Sequence, residues 1–334
     1  MKSLLIPEEY AAQLNKTKTM KAVNFINQYF EEELSNKFNL LKIDSPLFAK
    51  ISDGFNADAE KENYFNAEDM IEKEKKCAVF SSPVKWMRYA VKNYDVKLDE
   101  GIFIDFTGIK PDVQTDNINS IKIKTWEIER FIDKKDRTEE YLFNFANNIY
   151  DLICSASYII KDKFNVETFN DELKFISSME LEEMWPDETP AQREYNAANK
   201  YGAVFIYAIG GMLFSGQPHE NILPDFEDWD LNGKLLIYYD LIDTAIPIAS
   251  VSVRVDSSTL NRQLIIRGAQ QRSTGLYHHA VLHNELPQTI GCTINKSLLY
   301  IYLLQKAHIG EVMVSAWPAD SIEICRGNNI FLLK

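Results

Sequence analysis

The stretch PQTIGCTINKSLLYIYLLQ, residues 287–305, decides the fold of this chain. Its apolar pattern predicts a buried strand, then a tight turn, then an apolar helix that continues to Gln305. His308-Ile309-Gly310 and Trp317-Pro318 follow, and we predict a last strand over residues 312–317.

Working outward, the chain continues to alternate between strand and helix patterns. We predict further strands at residues 77–80, 101–106, 121–128, 202–209, 235–239 and 248–255, and helices at 83–94 and 137–164. Strands interrupted by helices over the whole length indicate an α+β or α/β protein. Since no Pro/Gly/Ser-rich linker and no repeat interrupts the pattern, we expect one domain over residues 1–334.

The N-terminal part carries a long amphipathic helix, predicted at residues 17–38. One apolar stripe runs along it, formed by Met20, Val23, Ile26, Phe30 and Leu34. A short extended segment follows at residues 40–43 and ends at Pro46. An amphipathic stripe of this kind needs a surface to cover it.

Composition limits the classes of function. The formal net charge of -13 argues against general nucleic-acid binding, because phosphates would be repelled over most of the surface. The four cysteines lie far apart in the sequence, which predicts reduced core thiols rather than zinc ligands or disulfides. No signal region and no apolar run of ~20 residues is present, so we expect a cytoplasmic protein with no membrane contact.

Three further segments carry a family resemblance. They are SSPVKWMR (81–88), KTWEIER (124–130) and HENILPDFEDW (219–229). Together with residues 287–318, they resemble asparagine synthetase A, the aspartate–ammonia ligase built on the catalytic fold of class II aminoacyl-tRNA synthetases. The resemblance covers residues 17–318. It implies an α+β fold with an antiparallel sheet flanked by helices, and it places residues 17–38 at the dimer interface.

The resemblance also implies a chemistry and the residues for it. The family activates aspartate with ATP and Mg²⁺, which requires cations around phosphate oxygens, acids for the metal and a cation for the substrate carboxylate. The implied catalytic residues are Asp58, Lys85, Arg88 and Glu127. The implied nucleotide- or substrate-binding residues are Ser82, Lys110, Asp112, Ser120, Asp225, Asp228, Ser250 and Arg254. We assign no metal ligand.

Two of these assignments have open alternatives. Either Ala57 or Asp58 occupies the position of the family's catalytic aspartate, depending on a one-residue insertion. Lys85 and Arg88 are equally consistent with a solvated helix face. His219 by itself is better explained as a surface or hydrogen-bonded histidine than as a metal ligand.

The departures from the family pattern fall on positions that contact ligands. Three replacements remove a charge that the family uses: Met87 stands in place of a lysine that binds aspartate, Ile222 in place of an arginine, and Leu298 in place of the arginine beside the nucleotide. Two affect acids: Lys234 stands in place of an acid and reverses its charge, and Pro247 stands in place of a glutamate. The others are milder: Lys110 replaces an arginine, Thr125 replaces a glutamine, and Glu127 and Glu227 each replace an aspartate. Residues that shape the backbone are kept, among them Trp126, Gly291 and Trp317.

Three functional hypotheses follow. The first is a non-catalytic or regulatory homologue, in a homodimer or heteromer, with an amino acid or a nucleotide as a conceivable ligand. The second is a ligase with a shifted carboxylate substrate, and the third is an ordinary ATP-dependent aspartate–ammonia ligase. An ATP-sized pocket lined by Asp225, Asp228 and Arg254 would favour catalysis. A single pocket filled by Met87, Ile222 and Leu298 would exclude it.

Overall fold

The computed structural model describes residues 4–50, 53, 55, 64–67, 76–168 and 172–333. Its helices are α1 (Lys16–Lys37), α2 (Val84–Asn93), α3 (Glu139–Phe164), α4 (Ser178–Met184), α5 (Pro190–Tyr201), α6 (Ser257–Ile266), α7 (Leu276–Leu282), α8 (Lys296–Leu304) and α9 (Ala319–Gly327). Its strands are β1 (Leu40–Lys42), β2 (Phe48–Lys50), β3 (Tyr64–Asn66), β4 (Lys76–Val79), β5 (Gly101–Ile109), β6 (Lys122–Phe131), β7 (Leu173–Ser177), β8 (Ala203–Tyr207), β9 (Glu227–Tyr239), β10 (Thr244–Arg254) and β11 (Thr289–Asn295).

Eight strands form the main sheet in the order β1-β5-β6-β11-β10-β9-β8-β7. The five pairs from β5 to β8 are antiparallel, whereas the two edge pairs, β1 with β5 and β7 with β8, are parallel. Helices α4 and α5 connect β7 to β8, as a parallel pair requires. The prediction of an antiparallel sheet flanked by helices is therefore confirmed. A second sheet has the order β2-β4-β3.

The two faces of the main sheet carry different apolar clusters. One face packs with α1, α3 and α8 in the largest cluster, where Phe30 of α1 stacks on Trp126 of β6 with ring centroids 4.9 Å apart. The opposite face carries two smaller clusters, one with α2, α6 and α7 and one with α4 and α5. The space between these two clusters is where the candidate site lies.

Helix α1 agrees with its predicted bounds, but its stripe has a partner within the chain. Val23, Ile26, Phe30 and Leu34 are buried in the large cluster. The stripe therefore gives no evidence for a dimer, which stays a prediction.

The predicted last strand at residues 312–317 is wrong. After a short 3₁₀ turn at Ile309–Glu311, the amides of Val312 and Met313 both donate to the carbonyl of Ile309, at 3.1 and 3.0 Å. These two amides close a turn instead of pairing with a strand. The indole ring of Trp317 then packs edge-on against His308.

All four cysteines are free thiols in the structure. Cys77, Cys292 and Cys325 are buried and Cys154 is half-buried. No helix in the described ranges is both long and apolar enough to cross a membrane.

Candidate active site

Alternating side chains give the central strands a polar face. On β6, Trp126 and Ile128 enter the large apolar cluster, so Thr125, Glu127 and Glu129 point to the opposite side of the sheet. On β11, Thr289 and Thr293 point to that side as well, because Ile290 and Ile294 belong to the large cluster. We call the polar residues of this face, on β6, β11, β10 and β9, the polar floor.

The centre of the floor is a buried ion pair between Arg254 of β10 and Glu129 of β6. The guanidinium donates to Glu129 from Nε at 3.0 Å and from Nη2 at 2.8 Å, and from Nη1 to Ser252 Oγ at 2.6 Å. The pair crosses β11 above Gly291, where an added Cβ would lie 1.8 Å from Arg254 Nη2. A residue without a side chain is therefore required at Gly291, because the guanidinium occupies the space.

Glu127 lies next along β6 and is held by two hydroxyls. Thr125 Oγ1 donates to one carboxyl oxygen at 2.7 Å, and Thr293 Oγ1 donates to the other at 2.6 Å. Burial raises the pKa of Glu127 to about 7, although both hydroxyls and the charge of Arg254 lower it. The carboxyl is thus poised to change its charge near neutral pH.

On β9 the floor continues with Glu227 and Asn232. The Asn232 amide donates to Glu227 Oε2 at 3.1 Å, and its oxygen accepts from the amide of Ile209 at 3.1 Å. Burial raises the pKa of Glu227 above its usual range, and the charge of Arg254 only partly offsets it.

At the end of the floor, Lys234 lies among acids. Its ammonium is 3.0 Å from Glu194 of α5 and 2.5 Å from Glu220 of the loop before β9. His219 Nε2 lies 3.1 Å from the same oxygen of Glu194, so the prediction of a hydrogen-bonded histidine is confirmed. Burial would lower the pKa of Lys234, but the two carboxylates outweigh it and the pKa is raised. The ammonium therefore stays charged.

A second buried cluster surrounds Asp225, just before β9. Its Oδ2 atom accepts from Lys85 Nζ at 2.8 Å, His278 Nε2 at 3.0 Å and Arg272 Nη1 at 3.2 Å. Burial would raise the pKa of Asp225, but the hydrogen bond from His278 and the charge of Lys85 hold it below its usual range. The cluster joins α2, α7 and the chain before β9.

The interpretation of Lys85 and Arg88 as a solvated helix face is wrong. Both side chains are buried, Lys85 against Asp225 and Arg88 against backbone carbonyls. Arg88 Nη1 donates to the carbonyl of Val255 at 2.6 Å, and its Nε donates to that of Pro287 at 3.1 Å.

Asp228 and Arg137 form another pair at this edge of the site. Arg137 Nη2 donates to Asp228 Oδ2 at 2.5 Å and Nη1 donates to the carbonyl of Arg254 at 2.6 Å. Burial raises the pKa of Asp228 despite the guanidinium of Arg137. Arg137 thereby connects the start of α3 to the end of β10.

The remaining predicted residues lie around the floor. Lys110 and Asp112 are exposed in the loop after β5, while Ser120 is buried there and donates to the carbonyl of Lys122. Ser82 is half-buried before α2, and Ser250 is half-buried on β10 opposite Lys234 and Thr293. Asp58 and Ala57 lie outside the described residues.

The three apolar replacements do not fill one pocket. Met87 is buried in the cluster of α2 and α7, Leu298 in the large cluster behind the sheet, and Ile222 packs against the cluster of α4 and α5. Four cavities of about 430 to 540 Å³ lie elsewhere on the described part of the chain, and Asp225, Asp228 and Arg254 line none of these four.

Sequence reasoning missed several residues of the site. Glu129, Thr293, His278 and Arg272 each bind a predicted site residue. Glu194 binds Lys234, which was predicted only as a departure from the family pattern. The alternation of threonine with glycine at positions 289, 291 and 293 is the local signal that could have indicated the polar face of β11. Nothing local marks Glu194 or Arg272.

The comparisons with known proteins first define the fold. Asparaginyl-tRNA synthetase from Pyrococcus horikoshii, complexed with asparaginyl-adenylate, matches with a TM-score of 0.66 at 13% identity over 91% of this chain and 70% of that chain. The Entamoeba histolytica asparaginyl-tRNA synthetase, also complexed with asparaginyl-adenylate, gives 0.64 at 10% identity over 89% of this chain and 66% of that chain. This chain thus has the fold of class II aminoacyl-tRNA synthetases.

Sequence comparison then defines the family. The profile of the family described as aspartate–ammonia ligase matches residues 17–329. An aspartate–ammonia ligase of Clostridium perfringens is 37% identical over the full length of both chains, and one of Levilactobacillus brevis is 36% identical over 99% of each. The chain belongs to the aspartate–ammonia ligase family.

Proposed function

We propose that this chain is a non-catalytic homologue of the aspartate–ammonia ligases, in which the charged groups of the site pair with one another instead of with ATP, Mg²⁺ and aspartate. The observation that carries the proposal is the ion cluster of Lys234 with Glu194 and Glu220. The resemblance places an acid at position 234. A lysine held there by two carboxylates reverses the charge that a metal ion would meet.

The donor set does not fit a bound Mg²⁺ ion. Magnesium takes oxygen ligands, in particular carboxylates and phosphates. At the two family acid positions this chain carries Lys234 and Pro247, which offer no side-chain oxygen. Within the described residues, no group of three or more histidine, cysteine or acidic side chains could hold a metal ion. We therefore derive no catalytic step through magnesium.

The amino-acid side of the site is also changed. Both carboxyl oxygens of Glu127 accept hydrogen bonds from Thr125 and Thr293. Met87, at the position of the family lysine, is buried among apolar side chains and carries no charge. An aspartate substrate would therefore meet a carboxyl that is already hydrogen-bonded and would lack one cation for its own carboxylate.

The nucleotide side has lost its arginine. Leu298 is 3% exposed and belongs to the core behind the sheet. Arg254 directs its Nε and Nη2 to Glu129 and its Nη1 to Ser252. Since phosphoryl chemistry depends on cations aimed at the developing negative charge, the replacement of this arginine by Leu298 opposes catalysis.

The second candidate is an ATP-dependent acid–ammonia ligase that forms an amide from aspartate or a related carboxylate. The names of the full-length relatives favour this candidate, whereas the chemistry of the polar floor favours the first. The retained residues Lys85, Asp225, Asp228 and Arg254 are compatible with both.

The deciding experiment measures asparagine formation from aspartate, ammonia and Mg²⁺-ATP, with the Clostridium perfringens relative as the active control. We expect no turnover above background. A turnover in the usual enzyme range of ~1–1000 per second would establish the second candidate instead. Calorimetric titration with ATP, with and without Mg²⁺ and aspartate, tests whether a nucleotide is bound without being used.

A homodimer or heteromer in the cytoplasm belongs to the same proposal. Leu41 on the edge strand β1 is an exposed apolar side chain that a partner subunit could cover, and so are Leu47 and Phe48 a few residues further along the chain. These residues support the dimer better than the stripe of α1 does.

A further inference from the structure

Lys234 lies between two carboxylates, with an imidazole beside one of them. Its ammonium is bound by carboxylates from two separate elements, Glu194 of α5 at 3.0 Å and Glu220 at 2.5 Å. The imidazole of His219 approaches the shared oxygen of Glu194 at 3.1 Å. Carboxylate and imidazole are the side chains that bind Mn²⁺, Zn²⁺ and related ions.

The two carboxylates of this cluster depend on the lysine for a compensating positive charge. Two carboxylates this close to each other would repel if no cation lay between them. The lysine stem is largely buried, with the side chain 19% exposed, so the ammonium is fixed rather than drifting in solvent. The raised pKa of Lys234 agrees with an ammonium that is fully charged at neutral pH.

We infer that the ammonium of Lys234 takes the place of a divalent cation between Glu194 and Glu220, so that this end of the site binds its ligand without a metal ion. An ammonium has three N–H donors: one donates to Glu194, and Glu220 forms an ion pair with the same ammonium. A remaining N–H can donate to an anionic oxygen of a ligand, where a metal ion would otherwise bridge to a phosphate or carboxylate. This inference and the proposed function both rest on the charge reversal at Lys234, but different experiments test them, so one can be wrong while the other holds.

The test is a titration of the Lys234→Asp variant with Mn²⁺. Binding is measured as the loss of the free Mn²⁺ signal in electron paramagnetic resonance. The substitution removes the ammonium and adds a third carboxylate beside Glu194 and Glu220. Since aspartate is shorter than lysine, it leaves room for an ion with metal–oxygen distances of about 2.0–2.6 Å. We expect one Mn²⁺ per chain, bound at least about tenfold more tightly than by the wild type.

Three controls define the site. Lys234→Arg keeps the positive charge and should gain no Mn²⁺ binding. Lys42→Asp is a matched lysine-to-aspartate change at another ion pair, with Glu31 at 2.7 Å, and should also gain none. Adding Glu194→Gln to Lys234→Asp should abolish the gained site. If Lys234→Asp is unfolded alone, its recovery by Mn²⁺ in thermal melts supports the inference.

Two results would overturn the inference. One is stoichiometric Mn²⁺ binding by the wild type that Glu194→Gln weakens, since the ammonium would then not exclude the ion. The other is a Lys234→Asp variant that neither binds Mn²⁺ nor is stabilised by it. Asparagine formation by the wild type overturns the proposed function, and it leaves this measurement unaffected.

Discussion

Replacing Leu298 by arginine restores the side chain that the family carries beside its nucleotide, and the structure predicts that the chain does not accept it. Leu298 is at the third position of α8, where its amide bonds to the capping side chain of Asn295 at 3.2 Å. All residues from Lys296 to Leu304 are buried. An arginine at this position would enter the large apolar cluster behind the sheet.

The cost has two parts. Removing a buried leucine side chain loses about 1.5–3 kcal/mol of burial free energy. Leaving a buried charge without its partner adds a penalty of about 3–5 kcal/mol. The arginine can reduce this penalty by reaching toward solvent, so we expect a loss of about 4 kcal/mol or more in the free energy of unfolding. Against a total stability of about 5–15 kcal/mol, such a loss is readily measured.

Urea unfolding at 25 °C measures this loss, and thermal melting with and without Mg²⁺-ATP shows whether a nucleotide site has been restored. Leu298→Met, of similar volume, is the matched control and should cost less than about 1.5 kcal/mol. A Leu298→Arg variant that is within about 1 kcal/mol of the wild type and gains thermal stability from ATP would refute the reasoning. That result would mean an open nucleotide site, and it would favour the ligase candidate.

Three further predictions follow from the floor and the edge of the sheet. Gly291→Ala should lower the free energy of unfolding in urea by about 3 kcal/mol or more, because the added Cβ would displace Arg254. Gly211→Ala is the matched control: its added Cβ has its nearest contact at 3.9 Å, so its stability should stay within about 0.5 kcal/mol of the wild type. With its pKa raised from 4.5 to about 7, Glu127 keeps its proton in the folded chain after the unfolded chain has released it, so stability falls as pH rises from about 4.5 to 7. Glu127→Gln should remove up to about 3 kcal/mol of that fall in unfolding series from pH 4.5 to 8, and an unchanged slope would contradict the assignment. Light scattering should give a dimer for the wild type and a monomer for Leu41→Glu, and a wild-type monomer at micromolar concentration would exclude the homodimer.

The regular elements around the deciding stretch could be predicted because their signals are local. The strand β11, the turn at Asn295 and the helix α8 follow one another without an intervening loop, and the Asn295 side chain caps the helix. The segment 312–317 has a similar apolar composition but does not pair. Its first amides bond back to Ile309, which no periodicity in the sequence indicates.

The residues of the site could be predicted better than their partners. Resemblance identified Lys85, Asp225 and Arg254, and the structure places all three in buried ion pairs. The partners are far away in sequence: Glu129 is 125 residues from Arg254, and Glu194 is 40 residues from Lys234. Because each pair depends on two elements meeting in the folded chain, the sequence alone does not show which charges neutralise each other.

The retention of charged family residues is weak evidence for catalysis in this chain. Lys85 and His278 both donate to Asp225 and thereby hold α2 and α7 against the chain before β9. Truncating one member of such a buried set strands the others without a partner, at a cost of about 3–5 kcal/mol. Folding alone would therefore preserve these residues after the reaction was lost. Lys234 differs from these retained residues, because an acid at that position would lie beside Glu194 and Glu220 and would need an external cation, whereas the lysine itself neutralises the two carboxylates. The residue that departs from the family is thus more informative about function than the residues that agree with it.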